Sequence, residues 1–518
     1  MRNNANEGIQ VDRRSFLKKT TIAGMAAALP NALPTSNLLA QTAANAVKIS
    51  AKSSGGKRKM LFLNNIPQQF GKLIESVQAI PNLDLIPVTA STFKTTQEIV
   101  NAIQSQSPDI VLMRIPRIGM APSVMADALE TLDMPVVVLP ENLGLIMGEA
   151  DMVAQMRTKG VNAMLATDEA KAIELSKILA APGVLAGKKA IIYGRPFDST
   201  SVTAHNLNAD IIYKRTGIKI EYRPIEDLKA QLEGVSVASA QKELDRWKKE
   251  AYRVDDVSDK VLLDTCRVYV LLRSIIEKEG LSGISVDCLS FSFNARWKGG
   301  ELNDTRMIPL PCLAFTRLRD EGYAAPCEAD VVGMLSSMVL QEISQKPSYF
   351  CNVSEINSQK SHVILRHCVA PLKLLGRDKP ALKYRIRDYH GMGGATPEVQ
   401  FPVGVEITMG GFTKDLKNFV VWPGRIQPEV MDTKTPSFAN ATGDAAKMLK
   451  YCSNRAEVKI KEVDRFMQNI AEIHHTMVAG NYANALRDEM IRVNANIVGP
   501  MDASAPAVNA GAPSKSKT

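Results

Sequence analysis

The stretch "GYAAPCEADVVGMLSSMVLQEISQKPSYFCNVSEI", from Gly322 to Ile356, sets Glu328 and Asp330 directly after Cys327 and just ahead of a long apolar run. Two carboxylates so placed fit a share in a metal site, a general acid/base pair, or the polar start of a helix. Histidine is scarce and unevenly placed. Of six, only His205 lies in the first half, whereas His362, His367, His390, His474 and His475 all follow residue 360. Oxygen-rich substrates suit hard cations such as Mn²⁺ or Mg²⁺, held by carboxylates and an imidazole with positions left open for hydroxyls. Glu328 or Asp330 with His475 supplies such a set. The alternative is that both carboxylates, with nearby Asp320 and Glu321, are solvated residues at a helix edge.

Other candidates are set by local chemistry. His367 follows the apolar "VIL" and stands at a strand end, equally suited to a structural or a substrate-binding role. His390 lies in "RDYHGMGG", where glycines permit tight turns and close ligand approach. "EIHHTMVAGN" reads as part of a helical stretch, on which His474 and His475 point different ways, so that one faces a site. Arg195 and Asp198 follow the strand "KKAIIYG", and the strand in "LSGISVDCLSF" ends near Asp287. Open α/β sheets bind ligands at the carboxyl ends of such strands. GxGxxG, P-loop, GxSxG and HExxH patterns are absent, which removes the usual support for nucleotide, serine-hydrolase and zincin readings. Carboxylate acid/base chemistry and divalent-metal chemistry remain.

The elements that must position these residues fall into two textures. "MLFLNNI", "LDLIPVTA", "DIVLMRIP" and "MPVVVLPE" are apolar runs of strand length separated by helical segments, the pattern of a parallel α/β layer. A second such unit opens near residue 187 and contains the long helix candidate "LLDTCRVYVLLRSIIEKEG". From about residue 360, "SHVILRHCVAP", "ALKYRIRDYHG", "VGVEITMGGF" and "KNFVVWPGRI" are short, often alternating segments with Gly and Pro between them, as in an antiparallel sheet or barrel. The fold class expected is α/β, with two Rossmann-like parallel-sheet layers followed by an antiparallel, barrel-like domain. The expected segments are a linker at 47–59, α/β domains at 60–183 and 184–358, a β domain with a closing helix at 359–498, and a disordered tail at 499–518.

The 518 residues exceed a single core. The N-terminal "VDRRSFLKKTTIAGMAAALPNALP" pairs Arg13 and Arg14 with a short, weakly apolar run, and "ANA" at Ala44 to Ala46 offers a small-residue cleavage site. Residues 1–46 therefore read as a twin-arginine export signal to the periplasm. Its removal takes away five basic and two acidic residues and lowers the formal charge from +9 to +6. That charge is spread along the chain without aromatic interleaving, which argues against nucleic acid as a partner. No stretch of the mature chain has the length of a membrane span. Seven cysteines without CxxC spacing indicate neither a disulfide scaffold nor a zinc knuckle, although export would leave room for one or two disulfides.

Taken in order, the α/β layers, "CEADVVGMLSSMVLQEISQKPSYFCNV", and the later "HC", "YHG" and "HH" before "AGN" resemble the L-fucose isomerase and L-arabinose isomerase superfamily. The resemblance covers about residues 57–495. It implies a fucose isomerase-like fold and a metal-dependent aldose–ketose isomerase acting on a monosaccharide. It also implies Mn²⁺ or another divalent cation, and a homo-oligomer, trimer or hexamer, with sites near subunit boundaries where His205 would reach a neighbour. Carried over by position, Glu328, Asn352 and His475, or less directly His474, fall on the family's metal ligands, and Glu328, Asp330, Asn352 and His475 on its catalytic set. The family has Phe-Ala-Asp-Val where this chain has "FCNV". Asn352 therefore brings an oxygen without negative charge and is a poor base, with Glu355 three residues on. His367, His390, Arg195 and Asp287 would meet substrate. Two other readings stand beside this one. One is an exported glycoside hydrolase pairing Glu328 with Asp330, Asp287 or Glu406 on a glycan terminus; the other is a non-catalytic carbohydrate-binding protein.

Overall fold

The computed structural model describes residues 57–64, 71–89, 95–114, 134–140, 146–194, 207–292, 310–389, 394–428, 452 and 454–500. They belong to one compact unit, Ala51–Thr518. The export-signal segment, Arg195, Asp198, His205 and His390 lie outside the described residues. No helix among the described residues is long and apolar enough to cross a membrane.

Apolar runs buried on both faces make a parallel sheet, and the first layer follows that rule. It comprises β1 (Arg58–Asn64), α1 (Gly71–Gln78), β2 (Leu83–Thr89), α2 (Thr96–Gln106), β3 (Ile110–Arg114), β4 (Val136–Val138), α3 (Met147–Thr158), β5 (Ala163–Leu165) and α4 (Glu169–Ala180). The five strands are parallel in the order β2-β1-β3-β4-β5. Every residue of β3 and β4 is buried. The start of α2 is fixed by a capping box between Thr95 and Glu98.

A second parallel layer holds β6 (Lys189–Tyr193), α5 (Ala209–Thr216), β7 (Lys219–Arg223), α6 (Ile225–Glu233), α7 (Val237–Glu250), β8 (Arg253–Asp255), α8 (Asp259–Glu279) and β9 (Gly283–Val286), then α9 (Cys288–Ser292), α10 (Cys312–Glu321) and α11 (Val331–Ser344). Its sheet order is β7-β6-β9. Gly194 ends β6 at φ +86, and a Cβ there would come within 2.7 Å of the Asp287 Cβ, so the close approach of the two strand ends requires glycine.

The remaining elements are β10 (Tyr349–Asn357), β11 (His362–His367), β12 (Tyr384–Arg387), β13 (Thr396–Val399), β14 (Glu406–Phe412), β15 (Asn418–Ile426), β16 (Asn454–Ile460), α12 (Val463–Gln468), β17 (His474–Ala479), α13 (Ala483–Arg492) and β18 (Asn496–Val498). Six antiparallel strands run β14-β17-β10-β11-β16-β15, and β15 pairs back onto β14 to close a barrel; β18 adds to β15 in parallel. Closure leaves no edge within the ring.

The structure corrects the expected layout in three places. The first barrel strand begins at Tyr349, inside the segment assigned to the second α/β domain. β12 joins β8 and β13 in a separate three-stranded sheet instead of the barrel. The closing stretch is not one helix: β17 lies between α12 and α13, and it carries the adjacent histidines.

Strand alternation divides the barrel's side chains between two environments. Tyr349, Cys351, Val363, Leu365, Met409, Trp422, Val458 and Met477 share the core that includes the barrel interior. On the opposite strand faces, Phe412, Phe419, Val421 and Val478 pack with Leu335, Met338 and Val339 of α11. That helix is buried at every residue from Val331 to Gln341. Two of its buried hydroxyls are answered: Ser336 Oγ accepts the Phe412 amide at 2.9 Å, and Ser337 meets Thr476 at 3.1 Å. Truncating a side chain such as Leu335 to alanine would cost about 2–5 kcal/mol. α11 is thus a fixed post between barrel and second sheet, and its first turn sits where the carboxylates are.

Candidate functional site

Asp330 is a helix start, as one reading of the sequence had it, and also more than that. It is the N-cap of α11, its Oδ1 accepting the Gly333 amide at 2.9 Å. A Cβ at Gly333 would lie 2.3 Å from the Phe350 ring and 2.6 Å from Asp330 Oδ2, which is why glycine stands there. The second oxygen, Oδ2, takes the Nδ1 proton of His474 at 2.9 Å. Asp330 is fully buried, and its charge is spent on the helix end and one imidazole.

Glu328 reaches the same imidazole from the other side. Glu328 and Ala329 both adopt left-handed backbone, at φ +64 and +54. Two consecutive non-glycine residues in that region store on the order of 1 kcal/mol each. The turn is held by Asp330 N–H to Cys327 O at 3.2 Å and Ala329 N–H to Val286 O at 3.1 Å. Glu328 Oε2 then lies 3.9 Å from His474 Nε2. Its side chain remains 22% exposed, against 1% for His474, so Glu328 is the carboxylate a ligand can reach.

The two adjacent histidines point to opposite faces of β17. His474 lies cross-strand from Asn352 and turns toward α11; His475 lies cross-strand from Cys351 and turns into the barrel. There its ring packs against Phe466 at 5.6 Å, and neither ring nitrogen finds a hydrogen-bond partner among the described residues. His475 therefore stands apart from Glu328, and the imidazole beside Glu328 is that of His474. A strand, unlike a helix, sends neighbours to opposite faces, and here the barrel wall lies between them.

His367, the last residue of β11, completes the group. Its ring is 5.5 Å from His474, and both stand against Phe350, at 5.1 and 4.2 Å between centroids. Glu328, His367 and His474 each offer a ligand atom, all within 4.8 Å of one another, and are the one such group of three among the described residues. They could hold a metal ion. Nδ1 of His474 is held by Asp330, so Nε2 is the nitrogen that faces Glu328, and a cation there would take the place of its proton, giving the carboxylate–histidine arrangement found behind metal sites. Asn352 belongs to the same neighbourhood as the cross-strand neighbour of His474, and its Oδ1 is buried with no hydrogen-bond partner among the described residues. An orphaned carbonyl oxygen is a ready ligand for a hard cation.

Charges follow from burial. Burial pushes the Glu328 carboxyl above the usual carboxylate range; His474 pulls the other way, and Cys452, Asp330 and Asp287 add to the rise. Burial alone would depress His474, but the hydrogen bond to Asp330 and the charge of Glu328 outweigh it and raise its pKa above the ordinary imidazole value. His475 has only burial and the nearby His474, and is pushed down to about 3. Asp287 is buried directly after β9, its amide bonded to Tyr193 O at 2.8 Å, and is near enough to act on Glu328.

The structure therefore brings together Glu328, Asp330, His367 and His474, with Asn352 and Asp287 adjoining. Glu355 is turned to Arg366 at 3.0 Å, and Glu406 accepts from Asn481 at 3.3 Å, each in an interaction of its own. Sequence reasoning passed over Phe350 and set His475, where the structure has His474, beside Glu328. The signal for the latter was the six-residue run "HHTMVA", short for a helix and right for a barrel strand. No family model matches the chain, and no curated protein matches it.

Proposed function

We propose that the protein is a metal-dependent aldose–ketose isomerase acting on a monosaccharide. One observation carries the reading: Glu328, reachable and with a raised pKa, faces the Nε2 of a histidine whose other nitrogen is fixed by the buried Asp330. Glu328 and His474, with Asn352 Oδ1, would hold a divalent cation such as Mn²⁺, which when bound polarises neighbouring sugar oxygens. His367, within ligand distance of Glu328 and His474, would join them, its ring oriented by the Val369 amide, which donates to Nδ1 at 3.5 Å.

Isomerisation moves a proton from the carbon beside the carbonyl to the carbonyl carbon. A carboxylate with a raised pKa is suited to take that proton and return it. In this chain Glu328 is the group for that transfer, since Asn352 supplies an oxygen but accepts no proton. Asp287, among the charges that raise Glu328, is the nearby second carboxylate for the hydroxyl proton. The same pair supports hydrolysis as the second reading, because Glu328 and Asp287 are two carboxylates of unequal environment.

The test is metal content of the purified chain together with assays on free aldoses and aryl glycosides, with and without chelator. Stoichiometric metal and chelator-sensitive ketose formation support isomerisation. Glycoside cleavage that survives chelation replaces it with hydrolysis, and sugar binding without turnover leaves a binding protein.

A further inference from the structure

Cysteines crowd the site and pair off. Cys288 and Cys327 hydrogen-bond to each other in the core, and the sulfurs of Cys368 and Cys452 stand 3.4 Å apart. The two pairs differ in access. Among the seven cysteines only Cys452 is partly exposed; the other six are buried. They differ in setting as well. Cys368 directly follows β11 and Cys452 lies two residues before β16, and these strands are already paired in register at His367 and Asn454. Asn454 Nδ2 donates to the carbonyls of His367 and Cys368, at 3.1 Å each, so the strand ends at His367 and Asn454 are tied together without any sulfur chemistry.

We propose that Cys368 and Cys452 are the site of a disulfide bond that staples the ends of β11 and β16 and pins His367 at the rim of the candidate site. A disulfide needs its sulfurs about 2.05 Å apart; these stand 3.4 Å apart at the ends of two strands already paired. The link joins residues 84 apart in sequence, a separation at which a cross-link restricts the unfolded chain strongly.

The oxidant is a disulfide, either a small one such as oxidised glutathione or that of a carrier protein. The Cys452 thiolate attacks one of its sulfurs; the S–S bond breaks, a mixed disulfide forms and the first thiol leaves. Cys368 then loses its proton and attacks the Cys452 sulfur, and the second thiol leaves. Two electrons and two protons pass from the cysteine pair to the reagent. The inference goes beyond the sugar reading and does not rest on it.

The test takes the full chain, reduced and then incubated with oxidised glutathione. Remaining thiols are alkylated after denaturation, and peptides are mapped without reduction. The expected result is a Cys368–Cys452 linked peptide, loss of two alkylated thiols, and an upward shift of Tm that reductant reverses. In Cys452→Ser the link and the shift are both lost. Mapping on the wild-type chain needs no variant to fold. Seven alkylated thiols, glutathione left on Cys452, or a link between Cys288 and Cys327 in its place would each overturn the proposal.

Discussion

Two histidines adjacent in sequence show what the barrel wall does. Outside it, His474 has a carboxylate on each side and a pKa above that of a free imidazole; inside it, His475 has aromatic and apolar neighbours and is held neutral. The side chain is the same and the difference is supplied by partners. Burial penalises both, and only the outer face offers charges to offset it. A histidine earns a chemical role from its hydrogen bonds, and proximity in sequence transfers none of it.

The largest test of this contrast is a pair of single substitutions. His474→Gln removes the Nε2 lone pair and the contact to Asp330; we expect bound metal to be lost and kcat/KM for aldose isomerisation to fall by roughly 10²–10⁴-fold. Glu328→Gln should match it. His475→Leu should leave metal content and turnover near wild type, as measured by metal analysis and steady-state kinetics. Equal losses from His474→Gln and His475→Leu would break the comparison.

Asp330 sharpens it by separating helix and histidine. Asp330→Asn retains an oxygen for the Gly333 amide but brings no charge to Nδ1 of His474. We expect a 10–100-fold weaker metal affinity with little change in unfolding midpoint. Asp330→Ala should add the loss of the cap, about 1 kcal/mol. If the asparagine variant binds metal as tightly as wild type, the carboxylate is only a cap.

A third test reads the inner face through pH. The folded pKa of His475, about 3, lies below its ordinary 6.5. The folded state therefore binds fewer protons than the unfolded one between these values. Stability from this residue is complete above pH 6.5 and declines as pH falls toward 3, with a slope of at most about 1.4 kcal/mol per pH unit. His475→Leu should flatten that part of the stability curve in urea unfolding. It should also raise stability at pH 7 by about 1 kcal/mol, since two unpartnered buried nitrogens go with it.

The sequence showed some of this. β1, β3 and β4 were legible because strands buried on both faces are written as unbroken apolar runs, and α8 because 21 residues hold its helical pattern. Glu328 stood out by its place before the apolar helix. β17 did not, because a six-residue strand lies between α12 and α13, whose helical period spreads across it. Nor could spacing show that Asp330 and His474, 144 residues apart, are hydrogen-bonded. That contact is made by packing α11 on the barrel, a long-range event with no local mark.

The smallest expected effect concerns the turn that aims Glu328. Ala329→Gly would relieve about 1 kcal/mol of left-handed strain. It would also lose one buried methyl, about 0.8 kcal/mol, and add 0.5–1 kcal/mol, roughly, of unfolded-chain entropy. The balance is a net loss of about 0.3–0.8 kcal/mol, so the urea midpoint should fall only slightly. Catalysis weighs them differently, because a glycine at Ala329 widens the range of backbone angles through which Glu328 is held. If the strained turn fixes the carboxylate, kcat falls several-fold while KM stays put and the midpoint falls no further than that. If kcat is unchanged as well, the contact with His474 alone positions Glu328, and the left-handed pair only turns the segment after α10 into α11.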